Sequence, residues 1–333
     1  MFEVIEGGIQ TTVQDYPGRI GYWNIGIPPS GPMDPLAFRL ANLLVGNFQG
    51  EAGLEITAVG PKLRFLEDAV VAVTGPKLRL EVDGELIPMW ESVKVKRESI
   101  LSIGLIKEYG FRAYLAIAGG IDVPIFLGSK STMTPPRPPF LPYGHLGGFE
   151  GRPLKRGDVL KTSRPNKLLA ELVGRKLKAS AMPTYQRVWE IGAIPGPHAD
   201  PDFLTPEDMK MFFNYDWKVH RNSNRLGYRL SGPKPRWARN DGGEAGRHPS
   251  NIHDCAYAIG TVNMTGDMPI ILTVDGPSLG GFVSNATIVS AELWKVGQAV
   301  PGVDIMRFRK LTLEEAVKLR KEQEKLIATS ISG

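Results

Sequence analysis

The sequence has 333 residues, a formal net charge of +5, 42% hydrophobic residues and 23% charged residues. These values sit near the soluble globular average and exclude whole-chain disorder and collagen. No apolar run nears the roughly 20 residues that span a bilayer, which excludes a membrane channel. At roughly 150 residues per domain the length suits about two domains.

The first residues carry Glu3 and Glu6 and no apolar core, so a signal peptide is not expected and a cytoplasmic location is. Residues 2–6 read as a strand. Residues 34–44 read as a helix, with Asp34 as N-cap, Pro35 at the first helical position and Leu36, Leu40, Leu43 and Leu44 on one face. Short strands follow at 69–74, 78–82, 92–96 and 100–103. Asp83-Gly84 is a hairpin turn between 78–82 and 85–87. Residues 134–148 hold Pro135, Pro136, Pro138, Pro139 and Pro142, too many for a regular element, and read as a long loop of the kind that serves as a lid. The polar, basic stretch 163–181 reads as an interdomain link.

Residues 30–65 and 203–237 echo one another. Each runs through a helix to strand-like residues and a Gly-Pro-Lys, which fits a duplicated β-rich domain. The divisions expected are 1–165, 182–310 and a tail at 311–333. In the tail Thr312 and Glu315 form a capping box ahead of an amphipathic helix. With 38 glycines and 27 prolines besides, the fold class expected is mainly β with a few helices.

Basic and acidic residues interleave, and no basic run carries aromatics, so neither a nucleic-acid nor a membrane partner is expected. One cysteine, Cys255, excludes an internal disulfide and a cysteine-based zinc site. His248, His253 and Asp254 are the grouping a metal would use, but hydrogen bonding explains them more simply, and no metal is expected. Gly276-Pro277-Ser278-Leu279-Gly280 matches a nucleophile elbow, yet no histidine follows His253 to complete a triad. It reads better as a turn offering N–H groups to an anion or carbonyl oxygen. Gly128-Ser129-Lys130-Ser131 fails the phosphate-loop pattern, although Lys130 and the hydroxyls suit a carboxylate.

Four clusters exceed what turns require: Asp15-Tyr16-Pro17-Gly18-Arg19, Pro28-Pro29-Ser30-Gly31-Pro32-Met33-Asp34, Asn222 to Arg229, and Thr265-Gly266-Asp267-Met268-Pro269. Arg19 and Arg225 are candidate anion clamps. His253, Asp267 and Asp34 are candidate catalytic acids or bases. Tyr228, Ser278 and Gly280 complete the expected substrate-binding set, and all of these residues except Gly280 are expected to line one cleft.

These clusters, with Gly53-Leu54-Glu55, Ala118-Gly119-Gly120-Ile121, Leu127 to Thr132 and Asp275 to Phe282, resemble the carboxyltransferase family shared by urea carboxylase, KipA-like proteins and the PxpC component of 5-oxoprolinase. The resemblance runs in order along nearly the whole chain. Ser250 to Asp254 and Glu292 to Gln298 look nearest the urea-carboxylase branch.

The resemblance implies a cyclophilin-like, β-barrel-type fold in two related halves. It also implies a role within a multi-chain enzyme. The leading expectation is the PxpC component of 5-oxoprolinase, which hydrolyses 5-oxoproline with ATP beside a KipI-like (PxpB-type) subunit and a LamB/YcsF-type (PxpA) subunit. The first alternative is the transferase part of a urea or amide carboxylase, with biotin carried on a partner. The second is a KipA-type regulator that binds a KipI-like kinase inhibitor. The 134–148 loop is longer than the urea-carboxylase resemblance implies.

Overall fold

The computed structural model describes residues 1–134, 146–239 and 241–332. The proline-rich loop expected to act as a lid lies mostly outside them. The chain divides into two units. One comprises residues 1–20, 30–185 and 324–333, and the other residues 21–29 and 186–323. The basic stretch 163–181 is not a bare link. It belongs to the first unit and holds the helix Leu169–Leu172, whose Leu172 carbonyl accepts from Ser92 Oγ at 2.6 Å.

In the first unit two antiparallel sheets share a core. The larger runs Ile121–Asp122, Val159–Thr162, Phe2–Glu6, Lys62–Phe65, Ile100–Ile106, Leu78–Val82 and Glu85–Leu86. The smaller runs Gln10–Gln14, Gly53–Thr57, Arg112–Ile117, Ala69–Thr74 and Ser92–Val95. Phe2, Val4, Leu63 and Leu101 of the larger sheet pack with Val13, Leu54, Val71 and Leu115 of the smaller. The expected hairpin is present: Val82 pairs with Glu85, and Asp83 and Gly84 both take positive φ, 52° and 88°, as a two-residue turn with the twist of its strands requires. The helix Pro35–Leu44 starts as its sequence dictates, with Asp34 Oδ1 accepting from the Ala37 N–H at 2.8 Å.

The second unit is a closed seven-stranded barrel in the order Val188–Pro195, Ser284–Ile288, Thr261–Thr265, Met268–Leu272, Gly227–Ser231, Trp217–Val219 and Ile305–Lys310. The last strand returns parallel to the first, Val188 opposite Ile305 through Ala193 opposite Lys310. Residues two apart are buried along the strands, such as Trp189 with Ile191, Tyr228 with Leu230, and Met306 with Phe308. The helix Pro206–Asn214 opens with a capping box made by Thr205 and Asp208, and its Phe212 stacks on Phe308 at 4.7 Å. Strands Asn251–Ala256 and Leu279–Phe282 form a separate two-stranded ribbon.

The mainly β expectation therefore holds. A barrel closes in the second unit, whereas the first packs two separate sheets. The Thr312–Glu315 capping box is made as expected, at the start of the helix Leu313–Ala328. Among the described residues no helix is long and apolar enough to cross a membrane.

Candidate functional site

A cavity walled by two of the predicted motifs lies in the second unit, beside a buried ion pair. Arg225 donates from Nε to Asp275 Oδ2 at 2.9 Å and from Nη2 to Asp275 Oδ1 at 3.2 Å. Both residues are almost fully buried. The Arg225 carbonyl accepts from Thr273 Oγ1 at 2.6 Å and from the Asp275 N–H at 3.0 Å. These bonds fasten the 222–229 motif to the 275–282 motif. Fastened so, the two become walls of a cavity of about 290 Å³. Leu226, Gly227 and Arg229 come from the first motif, and Pro277 with Leu279 to Phe282 from the second. Asn263, Thr265, Ile270 and Leu272 of the barrel, together with Tyr257, complete the lining.

Strand alternation sets which side chains reach the cavity. Tyr228 is buried, so its neighbours Gly227 and Arg229 take the other side. Gly280 is needed as glycine, since a Cβ there would come within 2.9 Å of the Tyr257 ring. The Tyr257 hydroxyl donates to the Phe282 carbonyl at 3.1 Å and accepts from the Phe282 N–H at 2.8 Å. Burial pushes its phenol up, so it stays protonated at neutral pH.

Asp267 lies in the turn two residues past Thr265. Its carboxylate accepts from Trp237 Nε1 at 3.1 Å, from Lys234 Nζ at 3.2 Å and from His248 Nε2 at 3.3 Å. His248 Nδ1 accepts the Ser250 N–H at 3.2 Å, which places the ring proton on Nε2, toward Asp267. Burial raises the Asp267 carboxyl, but these donors outweigh it and hold the group below the usual carboxylate range. A group so held adds stability that is complete at neutral pH and lost as pH falls through its depressed value. Asp267→Asn is expected to cost about 1–2 kcal/mol at pH 7, with the difference from the parent shrinking near pH 3. Guanidinium unfolding at the two pH values checks this, and a cost that does not shrink would refute the ion-pair origin.

The eight predicted residues do not act as one set. Arg19 and Asp34 belong to the first unit, and the other six to the second. Arg19 is no open clamp. It is fully buried and donates to the carbonyls of Phe126 and Ser131 and to Ser30 Oγ. These bonds hold a loop that Asp15 also holds by accepting from Ser129 Oγ, Ser131 Oγ and the Lys130 N–H. Lys130 Nζ is likewise engaged, at Glu51 and the Ile121 carbonyl. Asp34 caps its helix, and Arg225 is spent on Asp275. Tyr228 is buried, and His253 is exposed on the ribbon. Ser278 is buried, with its carbonyl accepting from the Tyr257 N–H. The Gly276 N–H, expected to meet an anion, donates to the Thr273 carbonyl. Of the eight, Gly280 lines the cavity. Arg229, Tyr257 and Asn263 were missed. The alternation about Tyr228 was the signal that pointed to Arg229.

The carboxyltransferase domain family, subdomains A and B, matches residues 25–310. The chain belongs to this family. Urea amidolyase of Saccharomyces cerevisiae is 49% identical to this carboxyltransferase-domain chain over 97% of the chain and 17% of that protein. The crystal structure of the Kluyveromyces lactis urea carboxylase matches with a TM-score of 0.90 and 49% identity, covering 98% of this chain and 29% of that one. A 5-oxoprolinase subunit of Escherichia coli is 33% identical over 98% of this chain and 96% of its own length. The chain thus spans about a sixth of the urea amidolyases it matches. Within the family, this carboxyltransferase domain is more similar to the urea amidolyase and the urea carboxylase than to the 5-oxoprolinase subunit, against the leading expectation.

Proposed function

We propose that the chain performs the carboxyl-transfer step of a biotin-dependent urea or amide carboxylase. The observation that carries this reading is the 49% identity to urea amidolyase along nearly the whole chain, against 33% to the 5-oxoprolinase subunit. Arg19 and Arg225, the arginines expected to clamp a substrate anion, are instead engaged with protein groups.

The cavity suits small ureido groups. Thr265 offers its hydroxyl among Leu226, Leu272, Leu279 and Phe282, beside the Asn263 amide, whose Oδ1 accepts from Ser284 Oγ. A biotin ureido ring has the same chemistry, and the same residues would hold it. When bound, biotin supplies the carboxyl group in transferable form. The protein's part is to orient the acceptor nitrogen and to exclude water that would hydrolyse the donor. Biotin and the ATP that charges it belong to other domains or partners in this proposal, in place of the KipI-like and LamB/YcsF-type partners.

The test gives the purified chain a biotin carrier protein charged with ¹⁴C carboxyl. Urea, acetamide and 5-oxoproline are offered in turn. Label is expected to pass to urea as N-carboxyurea. ATP-dependent release of glutamate from 5-oxoproline with KipI-like and LamB/YcsF-type partners, and no label on urea, would overturn the reading.

A further inference from the structure

The arginines buried among the described residues are strongly engaged. Arg19 and Arg225 are described above. Arg39 binds Glu324 and Gln49, and Arg112 faces Glu55. Arg229 differs. It is half-buried, lines the cavity, and has one side-chain hydrogen bond, from Nη1 to the Asn222 carbonyl. No carboxylate of the described residues pairs with it. Its backbone is fixed, the N–H donating to Ser223 Oγ at 3.0 Å and the carbonyl accepting from the His220 N–H at 2.8 Å. A guanidinium so anchored, with Nε and Nη2 unspent, is a ready two-point donor for a carboxylate. It is also the single cation lining this cavity among the described residues.

We propose that Arg229 is a catalytic residue, its guanidinium binding the carboxylate as it passes from the donor nitrogen to the acceptor nitrogen. This deepens the proposed function and rests on it. In the transfer, one C–N bond to the carboxyl carbon breaks at the donor nitrogen and another forms at the acceptor nitrogen. The acceptor's proton passes the opposite way. Net charge is unchanged, and one negative charge stays on the carboxylate oxygens. A fixed guanidinium opposite those oxygens matches charge that neither neutral urea nor the neutral ureido ring carries.

The experiment titrates ureidoacetate, a stable analogue of N-carboxyurea, into the chain by calorimetry, and measures label transfer in parallel. Arg229→Gln is expected to weaken ureidoacetate binding about 10- to 100-fold. It is expected to lower kcat with KM for urea little changed, because urea meets Arg229 without charge. Arg229→Lys keeps the charge without the fork and is expected to fall between the two. Arg221→Gln, an exposed neighbour outside the cavity lining, is expected to bind as the parent does.

Unchanged ureidoacetate binding and transfer in Arg229→Gln would overturn this proposal and leave the urea-carboxylase reading standing. Equal losses in Arg229→Gln and Arg221→Gln would overturn it too, as general electrostatics. Parent chain that binds ureidoacetate through Arg229 but passes no label to urea would instead sink the functional reading.

Discussion

Asp275→Ala is expected to lower the stability of the second unit by about 3–5 kcal/mol, because it strips a buried guanidinium of its two-point carboxylate partner. The side chains are 2% and 0% exposed, so water cannot replace the lost partner. The melting temperature should fall by on the order of 10 °C. Fluorescence of Trp189 and Trp217, both buried in the barrel, reports on this unit. The double variant Arg225→Met with Asp275→Leu should recover much of the loss, since removing both charges removes the desolvation penalty. A single variant that melts with the parent but fails to bind substrate would restore Arg225 as a clamp. Because the same pair fastens the two motifs that wall the cavity, label transfer should be lost along with stability.

The second large effect concerns the first unit. Glu55 is 1% exposed, and its Oε2 accepts from the Met33 N–H at 2.7 Å and from the Tyr114 hydroxyl at 2.9 Å. Its Oε1 faces Arg112 Nε at 3.6 Å. Tyr114 accepts in turn from the Asp34 N–H at 2.7 Å, at the start of the helix Pro35–Leu44. Burial, with Glu55 and Asp34 beside it, pushes the Tyr114 phenol well up, so it is a hydrogen-bond donor at neutral pH. Glu55→Ala is expected to cost about 3–5 kcal/mol in guanidinium unfolding, by leaving the Arg112 charge without its acidic partner. Glu55→Gln, which keeps the shape and an acceptor, should cost clearly less. Equal costs for the two would show that packing, not charge, is what Glu55 supplies.

Local chemistry was legible in the sequence wherever it was local in the chain. The caps at Asp34 and Thr312 and the Asp83-Gly84 turn need partners within three residues, and all three form as expected. The site was less legible, for two physical reasons. Arg225 meets Asp275 fifty residues away, and a basic residue in a polar cluster looks the same whether it awaits a ligand or a distant carboxylate. Strand alternation fixes which residues share a face but not which face is buried. Tyr228 was expected at the cavity, and Arg229, one residue out of phase, is the one that lines it. The first reason covers Arg19 too, since its carbonyl partners at Phe126 and Ser131 are over a hundred residues along.

The parallel pairing of Val188–Pro195 with Ile305–Lys310 bears on how the protein is made. On a ribosome the first barrel strand emerges long before its neighbour. Until the later one appears, the earlier has an open edge, rich in buried-to-be apolar groups. The ring closes only when nearly all of the second unit has left the exit tunnel. The first unit waits as well, because Lys176–Leu177 pairs with Ile331–Ser332. A nascent chain stalled before residue 305 would thus carry two unfinished units, the state in which chaperones are most needed. Pulse-labelled chains released there should aggregate, and those released after residue 332 should not.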